Sequence, residues 1–517
     1  PVPLPMPRAG SGDFSPDGGQ LLYSPLFRDF RTWKRYQGGW AQNLYVYDLA
    51  ANSARQVTDH ARTERDPVWL ERGIHFVSDR DGVLNLYALE DDGGWRQVTN
   101  EATWDIKWAS GDGRSRIVYE VEGSIGLYDA DSGESRRLTV RVPDDEVRRS
   151  ARRIAVKTQL EDFGVAPGGG RLLVTARGDV FTVPVEHGVT RNLTQRGDAH
   201  DREAAWSPDG KQVAFVSDRS GEEQIYVVPH DGGEARALTA GGAARLYHPL
   251  WAPDGSAIAF YDHTGKVRVV DLQGRETVAY ASAYGAVTDY QWAPDSQWLA
   301  FTVRSEHGTG AIRLWSRDDG RLLEATDGRF NAYAPAFGAD GKHLYFLSDR
   351  EFAPQIGSFE WNYVADRETG IFALALNADS GNPFGPRNDE VGAAGAADEE
   401  NGEDKKNENA KPSEEEKVVV VIDAEGLAGR LIRVPVEADN FMAVYPQKDR
   451  LLYLAGAPFY YGRDPDRKNT LHSLEFASRE SKEVVADVEG LALSADGRYA
   501  MVRRKDDFHR VEIKEPE

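Results

Sequence analysis

Short, nearly continuous apolar runs alternate with polar turns along this chain, and the alternation repeats from end to end. The clearest copy reads Ala205-Trp206-Ser207-Pro208-Asp209-Gly210, then an apolar run from Gln212 to Val216 and the turn Ser217-Asp218-Arg219-Ser220-Gly221. A second run from Gln224 to Val228 follows, and a polar segment ends at Ala237-Leu238-Thr239. This pattern predicts four strands in about forty residues. Proline presets φ for a turn, aspartate accepts a hydrogen bond from the turn backbone, and glycine supplies positive φ, so Pro-Asp-Gly between apolar runs marks a hairpin. Matching starts occur at Phe14-Ser15-Pro16-Asp17-Gly18, Trp251-Ala252-Pro253-Asp254-Gly255, Trp292-Ala293-Pro294-Asp295-Ser296, Phe337-Gly338-Ala339-Asp340-Gly341 and Leu493-Ser494-Ala495-Asp496-Gly497. Runs such as Val213-Ala214-Phe215-Val216 are apolar at consecutive positions and so predict strands covered on both faces. A four-stranded sheet that must hide both faces needs a neighbour on each side, and a β-propeller supplies one.

Ten such units begin near Phe14, Val68, Ile106, Glu161, Ala204, Leu250, Tyr290, Ala336, Phe441 and Leu491. Ten exceed the usual four to eight blades of one ring, so the expectation is an all-β chain with two propellers in tandem. The rhythm breaks over 140–159, leaving three units before it and seven after. The predicted domains are therefore a partial propeller over 1–148 and a seven-bladed propeller over 149–517. Three blades leave their end faces and strand edges uncovered, so the first ring is expected to lack its start or to be completed by a partner. A second interruption, 388–417, is rich in Glu, Asp, Asn, Lys, Ala and Gly without an aromatic residue, and reads as a disordered, solvated insertion. It separates Gly370-Ile371-Phe372-Ala373-Leu374 from Val418-Val419-Val420-Val421-Ile422, read as the third and fourth strands of one blade.

Composition narrows the function classes. The 517 residues carry 62 Lys and Arg against 84 Asp and Glu, a net charge of −22 that argues against nucleic acid as a partner. A 40% hydrophobic content with 12 Trp, 21 Tyr and 20 Phe is ample for sizeable cores. No run approaches the roughly 20 apolar residues of a membrane helix, and no signal segment opens the chain. No membrane association is expected, and the predicted location is cytoplasmic, or periplasmic if a leader was removed. The absence of Cys removes disulfides and thiolate chemistry, and the 11 His include no His-Glu-x-x-His, so neither metal nor cofactor is predicted. No Gly-x-Ser-x-Gly elbow is present. Ser78-Asp79-Arg80, Ser217-Asp218-Arg219 and Ser348-Asp349-Arg350 recur at one blade position and read as structural turns, so no catalytic residue is assigned.

The segment before each innermost strand should lie beside the central channel. It reads Arg65-Asp66, Arg202-Glu203, Tyr247-His248, Asp289-Tyr290 and Ala332-Tyr333, a chemically asymmetric set able to line a channel for a peptide or small ligand. Arg202, His248 and Tyr333 are the channel candidates here, with Arg503 and Lys505 as a candidate basic rim. A basic, aromatic insertion over 27–40 supplies Arg31, Trp33, Lys34, Arg35 and Tyr36 as candidates for an interface or for peptide binding, since Arg pairs carboxylates and rings fill pockets.

The order Trp33-Lys34-Arg35-Tyr36-Gln37-Gly38-Gly39, Glu161-Asp162-Phe163, Tyr333-Ala334-Pro335-Ala336-Phe337 with Leu344-Tyr345-Phe346-Leu347-Ser348, and Leu493-Ser494-Ala495-Asp496 with Met501-Val502-Arg503 resembles the propeller half of the tricorn protease family. That resemblance implies a six-bladed ring, of which 1–148 would be the second half, and a seven-bladed ring over 149–517. It further implies a helical segment, a PDZ module and a tail-specific-protease-like serine peptidase core beyond Glu517. The implied partners are peptide substrates, the missing catalytic and PDZ region, and further copies in a homo-oligomer. The implied function is a non-catalytic region that admits substrate, with Arg503 and Lys505 at the channel lid. Two other readings are a TolB-like scaffold propeller that docks a partner, and the propeller of a dipeptidyl-peptidase-type hydrolase.

Overall fold

The computed structural model describes residues 4–6, 8–26, 34–90, 92–143, 152, 154–285, 287, 289–351, 355, 356, 363, 364, 366–386, 418–458, 463–495 and 497–513. Among them the only helical elements are two 3-10 turns, Lys157–Gln159 and Leu427–Gly429. The chain divides into two compact units, 1–152 and 153–517.

The repeat folds as an antiparallel meander whose strands follow one another in chain order. The turn chemistry is that of the sequence motif. Ser207 Oγ donates to Asp209 Oδ1 at 2.6 Å and accepts the Gln212 N–H at 2.9 Å, while Gly210 takes φ +71°. Asp209 also accepts the Lys211 N–H at 3.0 Å, so three residues close the hairpin without help from elsewhere.

The first unit contains three four-stranded sheets, with innermost strands Ser11–Phe14, Glu64–Leu70 and Lys107–Gly111. Leu22, Leu44 and Val46 meet Ile74, Phe76 and Tyr87 between the first two, and Val68, Val77 and Leu86 meet Ile117, Tyr119 and Tyr128 between the second and third. In the third sheet the strand Arg116–Val121 buries Ile117, Tyr119 and Val121 but leaves Val118 42% exposed, with Ile125 44% exposed on the same face.

Besides a two-stranded ribbon of Gln355–Ile356 and Tyr363–Val364, the described residues of the second unit form seven sheets of three or four strands, with innermost strands Leu160–Val165, Asp201–Trp206, Leu246–Trp251, Tyr290–Trp292, Ala332–Phe337, Phe441–Pro446 and Gly490–Leu493. The last of these sheets has three strands among the described residues. Second strands such as Ala257–Asp262 and His343–Ser348 are buried at every position, the two-faced burial their apolar runs predict. Each sheet shares an apolar cluster with the next, and the last shares one with the first, where Met501 meets Val165, Leu172 and Val174. Phe163 and Phe508 also meet edge-on there, with centroids 4.9 Å apart.

The Ser-Asp-Arg turns are structural fasteners. Arg219 donates to Ser217 Oγ at 2.9 Å and forks onto both oxygens of Asp201 at 2.9 Å, with its guanidinium over the Phe215 and Tyr226 rings. Arg80 repeats the arrangement with Glu64, Phe76 and Tyr87 in the first unit. Arg350 keeps the serine, at 3.1 Å, and two rings, Phe330 and Phe372, but Ala332 occupies the position equivalent to Asp201.

One strand assignment changes. The fourth strand of the interrupted sheet is Leu431–Arg433, paired with Gly370–Ala375, and not the valine run 418–422. That run alternates, burying Val420 and Ile422 and exposing Val419 and Val421, and the Val420 N–H donates to Asp295 of the preceding sheet at 2.9 Å. Arg430 then binds the carbonyls of Ala375, Glu425 and Leu376 at 2.8 to 3.1 Å, which turns the chain back to place Leu431 in register. The insertion 388–417 lies outside the described residues.

Candidate functional site

Five of the seven innermost strands of the second unit share an irregularity that builds a site. Their pairing slips between Leu160 and Asp162, Arg202 and Ala205, Tyr247 and Leu250, Tyr333 and Ala336, and Phe441 and Ala443. In three of these bulges a non-glycine residue sits in the left-handed region: Glu203 at φ 51°, His248 at 50° and Ala334 at 51°. A bulge frees one residue from its ladder and re-aims both its side chain and its N–H. Here the freed N–H groups cross to the preceding sheet. His248 donates its main-chain N–H to the Glu203 carboxylate, and Ala334 donates to Asp289 Oδ2 at 2.6 Å. Tyr290 completes the series by donating its hydroxyl to the His248 carbonyl. The Trp251 and Trp292 indoles bind the Ala205 and Leu250 carbonyls, each at 3.2 Å, fixing the strands below the bulges.

These residues line a concavity of about 410 Å³ within the second unit. Its polar groups include Asp162, Glu203, Asp289, His248, Tyr290 and Tyr445, and its walls include Pro249, Leu250, Ala336 and Val444. No Lys or Arg is among the lining residues. Asp162 is open to the solvent of the concavity while protein surrounds it on its other sides, and that crowding raises its carboxyl above the usual range. The Phe163 N–H and nearby His248 pull it down, and Glu203 adds to the rise. Burial likewise raises Asp289, against the lowering donors Ala334 N–H and Thr302 hydroxyl. Tyr290 is held well above the ordinary phenol range by burial first and by the Glu203 charge second.

Arg202-Glu203, Tyr247-His248 and Tyr333 lie within the inner strands, at the bulges, and this decides which residue of each pair faces the concavity; Asp289, by contrast, precedes its strand, and both it and Tyr290 line the concavity. His248 lines it. Arg202 is 5% exposed and sits behind Glu203, ion-paired to it and bound to Glu223 at 2.7 Å and the Leu246 carbonyl at 2.6 Å. Tyr333 turns the other way from Ala334; its hydroxyl binds Asp349 at 3.1 Å and meets Thr369 at 3.2 Å, and burial pushes it up to about 12. Arg503 and Lys505 are placed on the last sheet, where Arg503 faces Gly490 and donates to the Lys505 carbonyl at 2.9 Å. The Lys505 N–H in turn binds Glu489 at 2.7 Å, and neither residue is among those lining the concavity. Glu203 and Asp289 belong to the pairs read as lying beside the channel but are not among the candidates chosen from them, and Asp162, one residue into the Glu161-Asp162-Phe163 motif, is not read from the sequence as a lining residue.

In the first unit, Arg35 forks onto buried Asp105 at 2.8 and 3.2 Å and Lys34 Nζ reaches the same carboxylate at 3.2 Å. Asp105 also accepts the Leu84 N–H at 2.9 Å, so these bases fold back onto their own unit. Tyr36 beside them is half-buried, and Arg31 and Trp33 lie outside the described residues. Among the described residues no helix is long and apolar enough to cross a membrane.

Comparison with known proteins gives the lineage of this arrangement. The family described as the tricorn protease second beta propeller domain matches residues 160–514, and the tricorn protease N-terminal beta propeller domain matches 1–134. Tricorn protease homolog 1 of Streptomyces coelicolor is 29% identical over 499 residues, covering 93% of this chain and 46% of the relative. The tricorn protease of Thermoplasma acidophilum is 24% identical over 516 residues, covering 95% and 44%. A crystal structure of the tricorn protease superposes with a TM-score of 0.67 at 22% identity, covering 98% of this chain and 48% of that one, which supports the fold. This chain thus spans about half the length of the relatives it matches. With both of its units matched by propeller domains of one lineage, the chain belongs to the tricorn protease family.

Proposed function

We propose that this chain is the substrate-admitting, non-catalytic propeller region of a tricorn-like serine protease that degrades peptides, and that the concavity of the second unit is where an extended peptide is received. The observation that carries the reading is the concavity itself: a polar, largely acidic set held by inter-sheet hydrogen bonds over an apolar wall, in a family named for proteolysis. Such a lining suits an extended chain, because the wall takes side chains without selecting one residue and the polar groups meet the backbone. Hydrolysis would take place on residues beyond this chain, since the recurring serines Ser217 and Ser348 are engaged in structural turns.

The same reading makes 149–517 a seven-bladed ring, supported by the seven sheets and the shared cluster between last and first. It makes 1–148 the second half of a six-bladed ring, supported by the exposed Val118 and Ile125 on a face that a further blade would cover.

Binding of a fluorescein-labelled, uncharged octapeptide, followed by anisotropy, tests the reading. The chain should bind the peptide, and Ala443→Trp, which fills the concavity, should abolish binding while leaving the circular dichroism of the fold intact. Equal binding by that variant would place the peptide elsewhere.

A further inference from the structure

We infer that the concavity of the second unit selects peptides carrying a positive charge, a protonated amino terminus or a Lys or Arg side chain, over neutral and acidic ones. This rests on the reading of the concavity as a peptide site and adds the class of peptide it prefers.

Charge accounting within the lining carries the inference. Three carboxylates face the cavity, Asp162, Glu203 and Asp289. Only Glu203 has a fixed cationic counterpart, Arg202, which approaches from behind the wall and divides its guanidinium between Glu203 and Glu223. His248 stands 3.5 Å from the same Glu203 carboxylate. Asp289 is held by neutral donors alone, the Ala334 N–H and the Thr302 hydroxyl at 2.7 Å, and both fall on Oδ2. Asp162 accepts the Phe163 N–H at 2.8 Å, and no Lys or Arg of the lining compensates either acid.

The same lining also sets the surroundings of these acids. Pro249, Leu250, Ala336, Val444 and the Tyr290 ring form the apolar side of the concavity. Half-buried Asp289 is therefore screened less than a fully solvated carboxylate, while Asp162 opens to the solvent of the concavity. Burial accordingly raises both carboxyls, which are costly to keep ionised without a counter-charge. A peptide cation entering between them supplies that counter-charge, while its aliphatic portion meets the apolar wall. An acidic peptide would add a like charge to the same space and be disfavoured. The inter-sheet hydrogen bond to Asp289 holds its carboxylate in place before any ligand arrives, which limits the ordering cost of binding.

Three octapeptides of matched length, carrying two Lys, two Gln or two Glu at equivalent positions, test the inference when each is made with a free and with an acetylated amino terminus. Anisotropy titration of the whole chain at 0.15 M salt should show the Lys peptide binding about tenfold more tightly than the Gln peptide, with the Glu peptide weaker still. The free-terminus arm separates an amino-terminal cation from a side-chain cation as the group recognised. In the Asp162→Asn/Asp289→Asn double variant, which keeps a hydrogen-bond acceptor at each site, the ratio of Lys to Gln affinities should fall close to one. Retention of the full ratio would assign the preference to the general negative charge of the surface and overturn the inference. Equal affinities in the unaltered chain would overturn it without any variant. Failure of all three peptides to bind would instead defeat the reading of the concavity as a peptide site.

Discussion

The main-chain N–H of Ala334 donates from one sheet to the preceding one, to Asp289 Oδ2 at 2.6 Å, so a bulge in one inner strand is satisfied by an acid beside the inner strand before it. Removing the acid leaves that half-buried N–H without its protein acceptor. Asp289→Ala should therefore cost about 1 kcal/mol of stability, the low end for a donor that loses its partner where water can reach it. Asp289→Asn keeps an acceptor and should cost far less; urea unfolding of the two variants checks the order.

The same carboxyl sets a pH dependence. Its folded value is raised by burial, so between the ordinary aspartate value of about 3.9 and that raised value the folded chain holds more protons than the unfolded one. Stability contributed at this site is therefore greatest at low pH and declines as pH rises through the window. Asp289→Asn should remove that decline, and the difference in unfolding free energy between variant and parent, measured from pH 4 to 7, should grow in favour of the variant. A difference independent of pH would mean that Asp289 does not titrate in this range.

Asp105 should behave in the opposite sense. Burial pushes its carboxyl up, but Arg35, the Leu84 N–H and Lys34 together outweigh burial and bring it below the usual range. Its contribution is then full above the unfolded aspartate value and is lost as pH falls through the lowered folded one. Arg35→Ala leaves burial with fewer opponents, so the first unit should lose stability at neutral pH and show a shallower acid limb. Tryptophan fluorescence during acid titration reports this, because five of the chain's tryptophans, Trp40, Trp69, Trp95, Trp104 and Trp108, are described in that unit.

The fasteners allow a comparison inside one molecule. Arg219→Ala leaves Asp201 fully buried without its cation and should cost about 3 to 5 kcal/mol, the usual penalty for breaking a buried pair from one side. Arg350→Ala abandons only a serine and two ring faces, and should cost about 1 kcal/mol. Thermal unfolding should show the gap directly. Similar costs would mean that ring packing, and not the ion pair, holds these turns.

Why was the fold so much more legible than the site? Pro-Asp-Gly hairpins are local: Ser207, Asp209 and Gly210 close their turn among themselves, so their spacing carries the strand order. Two-faced burial is also local, because Val213 to Val216 are apolar at every position. The valine run 418–422 misleads for the same reason, since its pattern suits a strand while Arg430, a dozen residues on, decides which segment pairs. At the concavity, a one-residue bulge exchanges which member of Arg202-Glu203 or Tyr333-Ala334 faces inward. That exchange depends on hydrogen bonds to a different sheet, some 45 residues away, and alternation along the strand does not encode it.

The junction between the last and first sheets of the second unit is open to a direct test at Gly169. Its φ is +72°, and a β-carbon there would stand 2.7 Å from the Tyr499 ring of the last sheet. Gly169→Ala thus carries two separate penalties, a left-handed backbone that costs alanine about 1 kcal/mol and an overlap with the ring. Tyr499→Ala removes the overlap and leaves the backbone penalty, while forfeiting the stacking of Arg510 on that ring at 5.0 Å. The double variant should therefore be more stable than the sum of the two single losses predicts, by about 1 kcal/mol or more. Strict additivity in a double-variant cycle, read by urea unfolding, would mean that Gly169 and Tyr499 do not touch and that the two sheets are not packed there.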